Sequence, residues 1–248
     1  MKRAIVVGAT SGIGREVARL LANEGWQIGI AGRREDMLQS LQAEFPVGQV
    51  KYAVLDVTEA EAPTHLQTLI DEMGGMDLYF HSSGIGSQNA ALEPEIELRT
   101  ARTNGEGFVR MVTFAFNYFK AHATKEEQGH IAVISSIAGT KGIGIAPAYS
   151  ATKRFQNTYV QALVQLARIQ HLPIHFTDIR PGFVATDLLR DAHYPMLMKA
   201  EPVAREIIYA LKHRKRIRII DWRYRLLVFV WRLIPRLIWE RLKITKGK

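Results

Sequence analysis

The sequence predicts an α/β fold: a single domain built on a doubly wound parallel sheet of about seven strands. Two patterns carry this expectation. Seven short apolar runs recur at residues 4–7, 27–31, 50–55, 77–81, 131–135, 174–179 and 217–220, and segments with helical periodicity fall between them. Strands alternating with helices imply parallel βαβ units. Right-handed crossovers then distribute the helices over both faces of the sheet. There is also no internal repeat, low-complexity tract or linker, so residues 1–220 read as one domain and 221–248 as a basic amphipathic extension. A chain of 248 residues supplies ample core for this plan.

The first run opens "MKRAIVVGATSGIG". It is too short for a secretory signal, and glycines follow at once. The helix after it carries Ile13, Val17, Leu20 and Leu21 on one face, with Gly25 as its stop. Between strand and helix lie Gly8, Gly12 and Gly14. Small residues there let the backbone turn tightly and approach a pyrophosphate, while the helix start offers free N–H groups. The spacing G-x-x-x-G-x-G resembles that of the short-chain dehydrogenase/reductase family, whose members have a Rossmann-like fold.

The second strand ends in "AGRRED". An NAD enzyme usually places an acid in this zone for the ribose 2′-hydroxyl. Here Arg33 and Arg34 occupy it, and a guanidinium matches phosphate geometry. NADP(H) is therefore expected, with Arg33 the main contact and Arg34 a second. At the third strand's end, "LDVT" matches the family position at which Asp56 meets the adenine amino group and Val57 lines its pocket. At the fourth, "HSSG" keeps Gly84 where the family has Asn-Asn-Ala-Gly, with Ser82 beside the cofactor and His81 as the clearest departure. His81 is expected to be structural.

Tyr149 and Lys153, in "YSATK", are four residues apart and share a helix face, about 5–6 Å between Cβ atoms. Ser136 lies thirteen residues before Tyr149. The set resembles the family's Ser…Tyr-x-x-x-Lys signature. Asn104 matches the fourth member, within a long fourth helix whose distortion Gly105 would tolerate. "DIRPGFVAT" matches the segment that closes over the nicotinamide, through Pro181, Gly182, Val184 and Thr186. The glycine turn would add Thr10, Ser11 and Ile13 to the cofactor contacts, and Tyr149 and Lys153 would meet the nicotinamide ribose. The resemblance implies hydride transfer between nicotinamide and a carbonyl or alcohol. Tyr149 would act as general acid or base, and Lys153 would lower its pKa from about 10. Ser136 would bind the substrate oxygen, and Asn104 would hold a water that relays protons.

Residues 187–202, with Leu188, Leu189, Tyr194, Met196, Leu197 and Met198, are expected to form an adaptable apolar wall for a lipophilic substrate. The eight histidines have no metal-like spacing, and Glu93, Glu95 and Glu97 read as an acidic helix start. The chain has no cysteine, which removes disulfides and thiol chemistry and fits a reducing, cytoplasmic setting. The family assembles through its fourth and fifth helices, so a homodimer or homotetramer is expected, with Phe108, Met111, Val112, Phe116, Phe119, Val160, Leu163 and Leu166 shared between sheet and partner.

Net positive charge is confined to the end. Residues 212–248 hold 13 Lys/Arg against Asp221 and Glu240, which leaves the first 211 residues at a net −2 within the chain's +9. On a helical wheel Trp222, Leu226, Phe229, Val230, Leu233 and Leu237 share a face edged by arginines, and Pro235 would divide the helix. That pattern suits an anionic membrane surface. Its apolar content exceeds what a nucleic-acid arm needs, so no nucleic-acid partner is expected. Packing on the enzyme's own body or on a partner subunit is the competing reading. A nucleotide-binding regulator or membrane-surface scaffold without turnover stands as the alternative to an enzyme.

Overall fold

The computed structural model describes residues 1–186, 189, 194 and 196–243. Its elements run β1 (Arg3–Val7), α1 (Gly12–Asn23), β2 (Gln27–Gly32), α2 (Glu35–Gln42), β3 (Val50–Val54), α3 (Ala62–Met73), β4 (Leu78–His81) and α4 (Pro94–Ala101). A π-helical turn, Arg102–Gly107, joins α4 to α5 (Phe108–His122). There follow β5 (Gly129–Ile134), a 3₁₀ turn (Ile137–Thr140), α6 (Pro147–Ile169), β6 (Ile174–Arg180), the short pair β7 (Val184–Ala185) and β8 (Met198–Lys199), α7 (Ala200–Lys212), β9 (Ile217–Ile219), α8 (Trp222–Leu233) and α9 (Arg236–Trp239).

The main sheet has seven strands in the order β3-β2-β1-β4-β5-β6-β9, and all its pairings are parallel. Each of the seven apolar runs is a strand. The chain starts at β1 and winds outward in both directions, so the order reverses between β1 and β4. Ligands bind doubly wound sheets at the carboxyl ends beside such a reversal.

Strand alternation builds two cores, one on each face. Along β1, Ala4 and Val6 face one cluster with α1, α2 and α7, while Ile5 and Val7 face the other with α3, α5 and α6. Helix α1 buries Val17, Ala18, Leu21 and Ala22 and ends where Gly25 turns into the left-handed region, φ 83°. The first core also takes in Tyr224 and Val228 of α8, so the segment after Ile220 contributes to the domain's packing.

The surplus apolar residues expected on α5 and α6 are not surplus. Phe108, Met111, Val112, Phe116, Phe119, Val160 and Leu163 are all buried against the sheet, and only Leu166 of that set is exposed. The outer faces of these helices instead carry Phe155 and Ile169, with Leu98 on α4.

Candidate active site

The site lies at the carboxyl ends of β1, β4, β5 and β6. The turn after β1 holds Gly8 at φ 89°, where a Cβ would stand 2.5 Å from Ser83 N. At Gly14 a Cβ would stand 2.2 Å from Gly8 O. Backbone alone fits in this turn, which leaves a cradle open to the start of α1. Ser11 is the N-cap, yet its side chain makes no capping bond. Its Oγ accepts from Arg34 Nη2 at 2.7 Å, and Thr10 Oγ1 accepts from the same nitrogen at 2.9 Å. A guanidinium is thus held over a helix start whose N–H groups lack a side-chain cap, which is the chemistry of a phosphate site. Ile13 packs on the first core. Thr186 Cγ2 leans over Gly12, 2.9 Å from where a Cβ would be.

Arg33 lies across the same mouth with its side chain 68% exposed, and it donates to Asp56 Oδ2 at 3.5 Å. Asp56 Oδ1 accepts from the N–H and hydroxyl of Thr58 at 2.9 and 2.8 Å. Partial burial opposes ionisation of Asp56, but the Thr58 bonds and Arg33 outweigh it and hold the carboxyl below its usual range. Val57 is buried against Gly107 of the π turn. Of the two arginines, Arg34 is the one fixed over the glycine turn.

Ser136 follows β5 in extended backbone, and its Oγ accepts from Ala138 N at 3.1 Å. Tyr149 and Lys153 sit on the first turns of α6. Glu97 of α4 fixes the start of that helix by accepting from Ala148 N at 2.8 Å. Burial pushes the Tyr149 phenol up, and the nearby Ser136 hydroxyl opposes it only in part. This departs from the depressed phenol expected from Lys153. The ammonium lies 5.8 Å from the Tyr149 ring centroid, and its hydrogen bonds go elsewhere. Lys153 Nζ donates to Ile134 O and to Gln156 Oε1, both at 3.0 Å. Burial lowers the Lys153 pKa to about 8, against the pull of Asp178.

Asn104 is fully buried in the π turn. Its side chain accepts from Ile85 N at 2.9 Å and donates to Ile85 O at 2.7 Å, tying the segment after β4 to the helix. Gly84 passes close by; a Cβ there would stand 3.2 Å from Asn104 Oδ1 and 3.6 Å from Lys153 Nζ. Two residues earlier, Ser82 continues the sheet by donating its N–H to Val7 O at 2.8 Å.

The main-chain carbonyl of Asn104 accepts from Gln156 Nε2 at 2.9 Å. Lys153 can only donate and the Asn104 carbonyl can only accept, so the Gln156 amide has one possible orientation. This residue was missed in the sequence reading. Its signal was position: 149, 153 and 156 share one face of a helix.

His81 is fully buried, with Nδ1 2.8 Å from Tyr79 Oη. Burial, helped by the Lys153 charge, lowers its pKa to about 3, so it is neutral at ordinary pH. Among the described residues no group of three or more His, Cys, Asp or Glu could hold a metal ion.

Beyond Ser136, Pro181 O accepts from Ile137 N at 3.2 Å, and Gly182 packs flat on Tyr224. Phe183 packs tilted against Tyr194, ring centroids 4.7 Å apart, and Tyr194 Oη accepts from Gln88 Nε2 at 3.2 Å. The expected apolar wall is split. Leu188 lies outside the described residues. Leu189, Tyr194 and Leu197 are half-buried, whereas Met198 joins the first core with Val184, and Met196 packs against it.

Known proteins resemble this chain in sequence and in fold. A family model described as short chain dehydrogenase matches residues 2–195. An uncharacterised oxidoreductase of Myxococcus xanthus is 33% identical over 200 residues, 79% of this chain and 77% of that one. An uncharacterised oxidoreductase of Mycobacterium tuberculosis is 29% identical over 95% of both chains. A 3-ketoacyl-(acyl-carrier-protein) reductase from Brucella melitensis, solved with NADH, superposes with a TM-score of 0.77 at 20% identity, over 89% of this chain and 96% of that one. The chain belongs to the short-chain dehydrogenase family of oxidoreductases.

Proposed function

We propose that this chain is an NADP(H)-dependent oxidoreductase that transfers hydride between nicotinamide and a lipophilic carbonyl or alcohol substrate. One observation carries the reading: a buried Ser136 and Lys153 and a half-buried Tyr149 converge beside a glycine cradle over which an arginine is held. Gly8, Thr10, Ser11, Gly12 and Gly14 would hold the pyrophosphate, and Arg34 with Arg33 the 2′-phosphate. Asp56 and Val57 would border the adenine. Ser82, Gly84, Pro181, Gly182, Val184 and Thr186 would enclose the nicotinamide half, with Tyr149 and Lys153 on its ribose.

When bound, the reduced cofactor supplies hydride for the carbonyl carbon. Tyr149 holds its proton firmly and gives it to the carbonyl oxygen as negative charge develops there. Ser136 donates a hydrogen bond to the same oxygen. Lys153, titrating near neutrality, stands by with a proton to restore the phenol. In oxidation the roles reverse. The aromatic mouth of Phe183 and Tyr194 supports a lipophilic substrate.

The test is NADPH consumption with aldehydes and ketones of increasing chain length, wild type against Tyr149→Phe. Turnover that rises with chain length and is lost in the variant, with NADPH binding kept, is the expected result. Tight NADPH binding with no turnover on any carbonyl would favour a nucleotide-binding scaffold instead. The reading also makes the protein a cytoplasmic homo-oligomer. A groove of about 600 Å³ between the π turn, α5 and α6, lined by Gly105, Val109, Ala151 and Phe155, supports pairing there. A monomeric mass by light scattering at micromolar concentration would refute the pairing.

A further inference from the structure

Helix α8 is apolar on two opposite sides. Tyr224 and Val228 face the body and are 0% and 2% exposed. On the far side Trp222, Leu226, Phe229 and Leu233 stand 57–66% exposed, and Leu237 of α9 follows at 70%. A helix that is apolar all round is normally buried all round, and a continuous exposed apolar strip of this kind marks an interaction surface.

Charge selects the occupant. Residues 222–243 carry six Lys/Arg against Glu240 alone, and Glu240 is already paired with Arg236 at 2.6 Å. Arg225 and Arg232 run along one edge of the strip, and Arg223 borders the other, held by Asp221. A second copy laid on this face would bring a basic rim against a basic rim, with no spare acid to answer it. An anionic surface answers both the rim and the apolar strip. No helix among the described residues is long and apolar enough to cross a membrane.

We propose that α8 and α9 dock in the plane of an anionic lipid bilayer, with the apolar strip inserted at headgroup depth and the arginines on lipid phosphates. The helices are fastened to the mouth of the site. Tyr224 Oη accepts from Phe183 N at 3.2 Å and donates to Met196 O at 3.0 Å. Lys141 Nζ donates to Ile234 O at 2.9 Å, and Trp239 Nε1 to Gly142 O at 2.7 Å. Docking therefore places Phe183, Met196 and the turn after Ser136 near the lipid surface. That consequence for substrate entry rests on the reductase reading above; the docking itself does not.

Flotation of the full-length protein tests the proposal, using vesicles of pure phosphatidylcholine and of phosphatidylcholine mixed equally with phosphatidylglycerol. Wild type should float with the mixed vesicles at low salt and stay down with the neutral ones. Arg225→Gln with Arg232→Gln should weaken partitioning by about fivefold for each charge removed. Trp222→Ala with Phe229→Glu and Leu233→Glu should abolish flotation while circular dichroism and NADPH binding stay as in wild type. Wild type that remains soluble with both vesicles, or a triple variant that floats as well as wild type, overturns the proposal. So does a triple variant whose mass by light scattering drops to monomer while wild type ignores lipid, which would make the strip an interface between copies.

Discussion

Lys153 is a lysine the fold does not want charged, and replacing it isolates that conflict. Its side chain is 4% exposed, and burial lowers its pKa from 10.5 to about 8. The unfolded chain holds this proton up to pH 10.5 and the folded chain only to about pH 8. Below pH 8 both states are protonated, and burial of the ammonium costs about 3 kcal/mol. Between the two values the unfolded state binds more protons, so this group's contribution to stability rises with pH. Lys153→Met keeps the chain length and removes the charge, though it leaves Ile134 O and Gln156 Oε1 without their donor, at about 1 kcal/mol each. The variant should therefore be roughly 1 kcal/mol more stable than wild type at pH 7. From pH 7 to pH 10 wild type should gain on it by roughly 2 to 3 kcal/mol. Urea unfolding followed by the fluorescence of the four tryptophans reads both differences. Groups that do not feel Lys153 cancel between the two proteins, and His81, which does, is held neutral over this range by its burial. A difference that stays flat with pH would refute the claim that burial opposes the Lys153 charge. The variant should also lose turnover, so that stability and activity move in opposite directions.

Three further expectations follow from single contacts. Arg34→Ala should raise the Michaelis constant for NADPH about tenfold to a hundredfold and leave that for NADH nearly unchanged, because a charge-assisted contact is worth roughly 1.5–3 kcal/mol; Arg33→Ala should do the same more weakly, and equal losses for both cofactors would refute the phosphate role. Gln156→Leu removes an acceptor from Lys153, which disfavours the ammonium, so the alkaline limb of kcat should move to lower pH, and an unmoved limb would mean that Gln156 only fills space. Gly182→Ala puts a Cβ within 2.2–2.4 Å of the Tyr224 ring, an overpacking that should cost about 1–3 kcal/mol in unfolding free energy, and unchanged stability would show that α8 yields freely.

The fold was legible because its signals are local. A strand buried on both faces is a short apolar run, and a phosphate turn needs glycine at fixed offsets, so β1 to α1 could be read from a few consecutive residues. The site was legible where one helix carries it, as with Tyr149 and Lys153. It was hidden where partners are distant. Glu97 and Ala148 are 51 residues apart, and Gln156 and Asn104 are 52 apart. Nothing in "KRFQN" says that the glutamine reaches a carbonyl freed by a π turn on another helix. The apolar residues of α5 and α6 misled for a related reason. Periodicity shows that Phe116 and Phe119 share a face, but not whether the sheet consumes all of that face.

The extension after Ile220 raises the same issue with the opposite outcome. A helical wheel selects Trp222, Leu226, Phe229 and Leu233 as its most apolar face, and by area alone that face should turn inward. The structure buries the poorer one. Tyr224 explains the choice, because it combines a large ring with one polar atom. The ring covers Gly182, where no side chain intervenes, and the hydroxyl serves both Phe183 N and Met196 O. An aliphatic residue at 224 could cover the glycine but would strand those two backbone groups, at about 1–3 kcal/mol for a buried group left unmatched. Docking geometry at the site's rim therefore outweighs the transfer energy of the better apolar face. That face is left outward, with arginines along its edges, on the helix whose inner face holds Phe183 and Met196 at the site's rim.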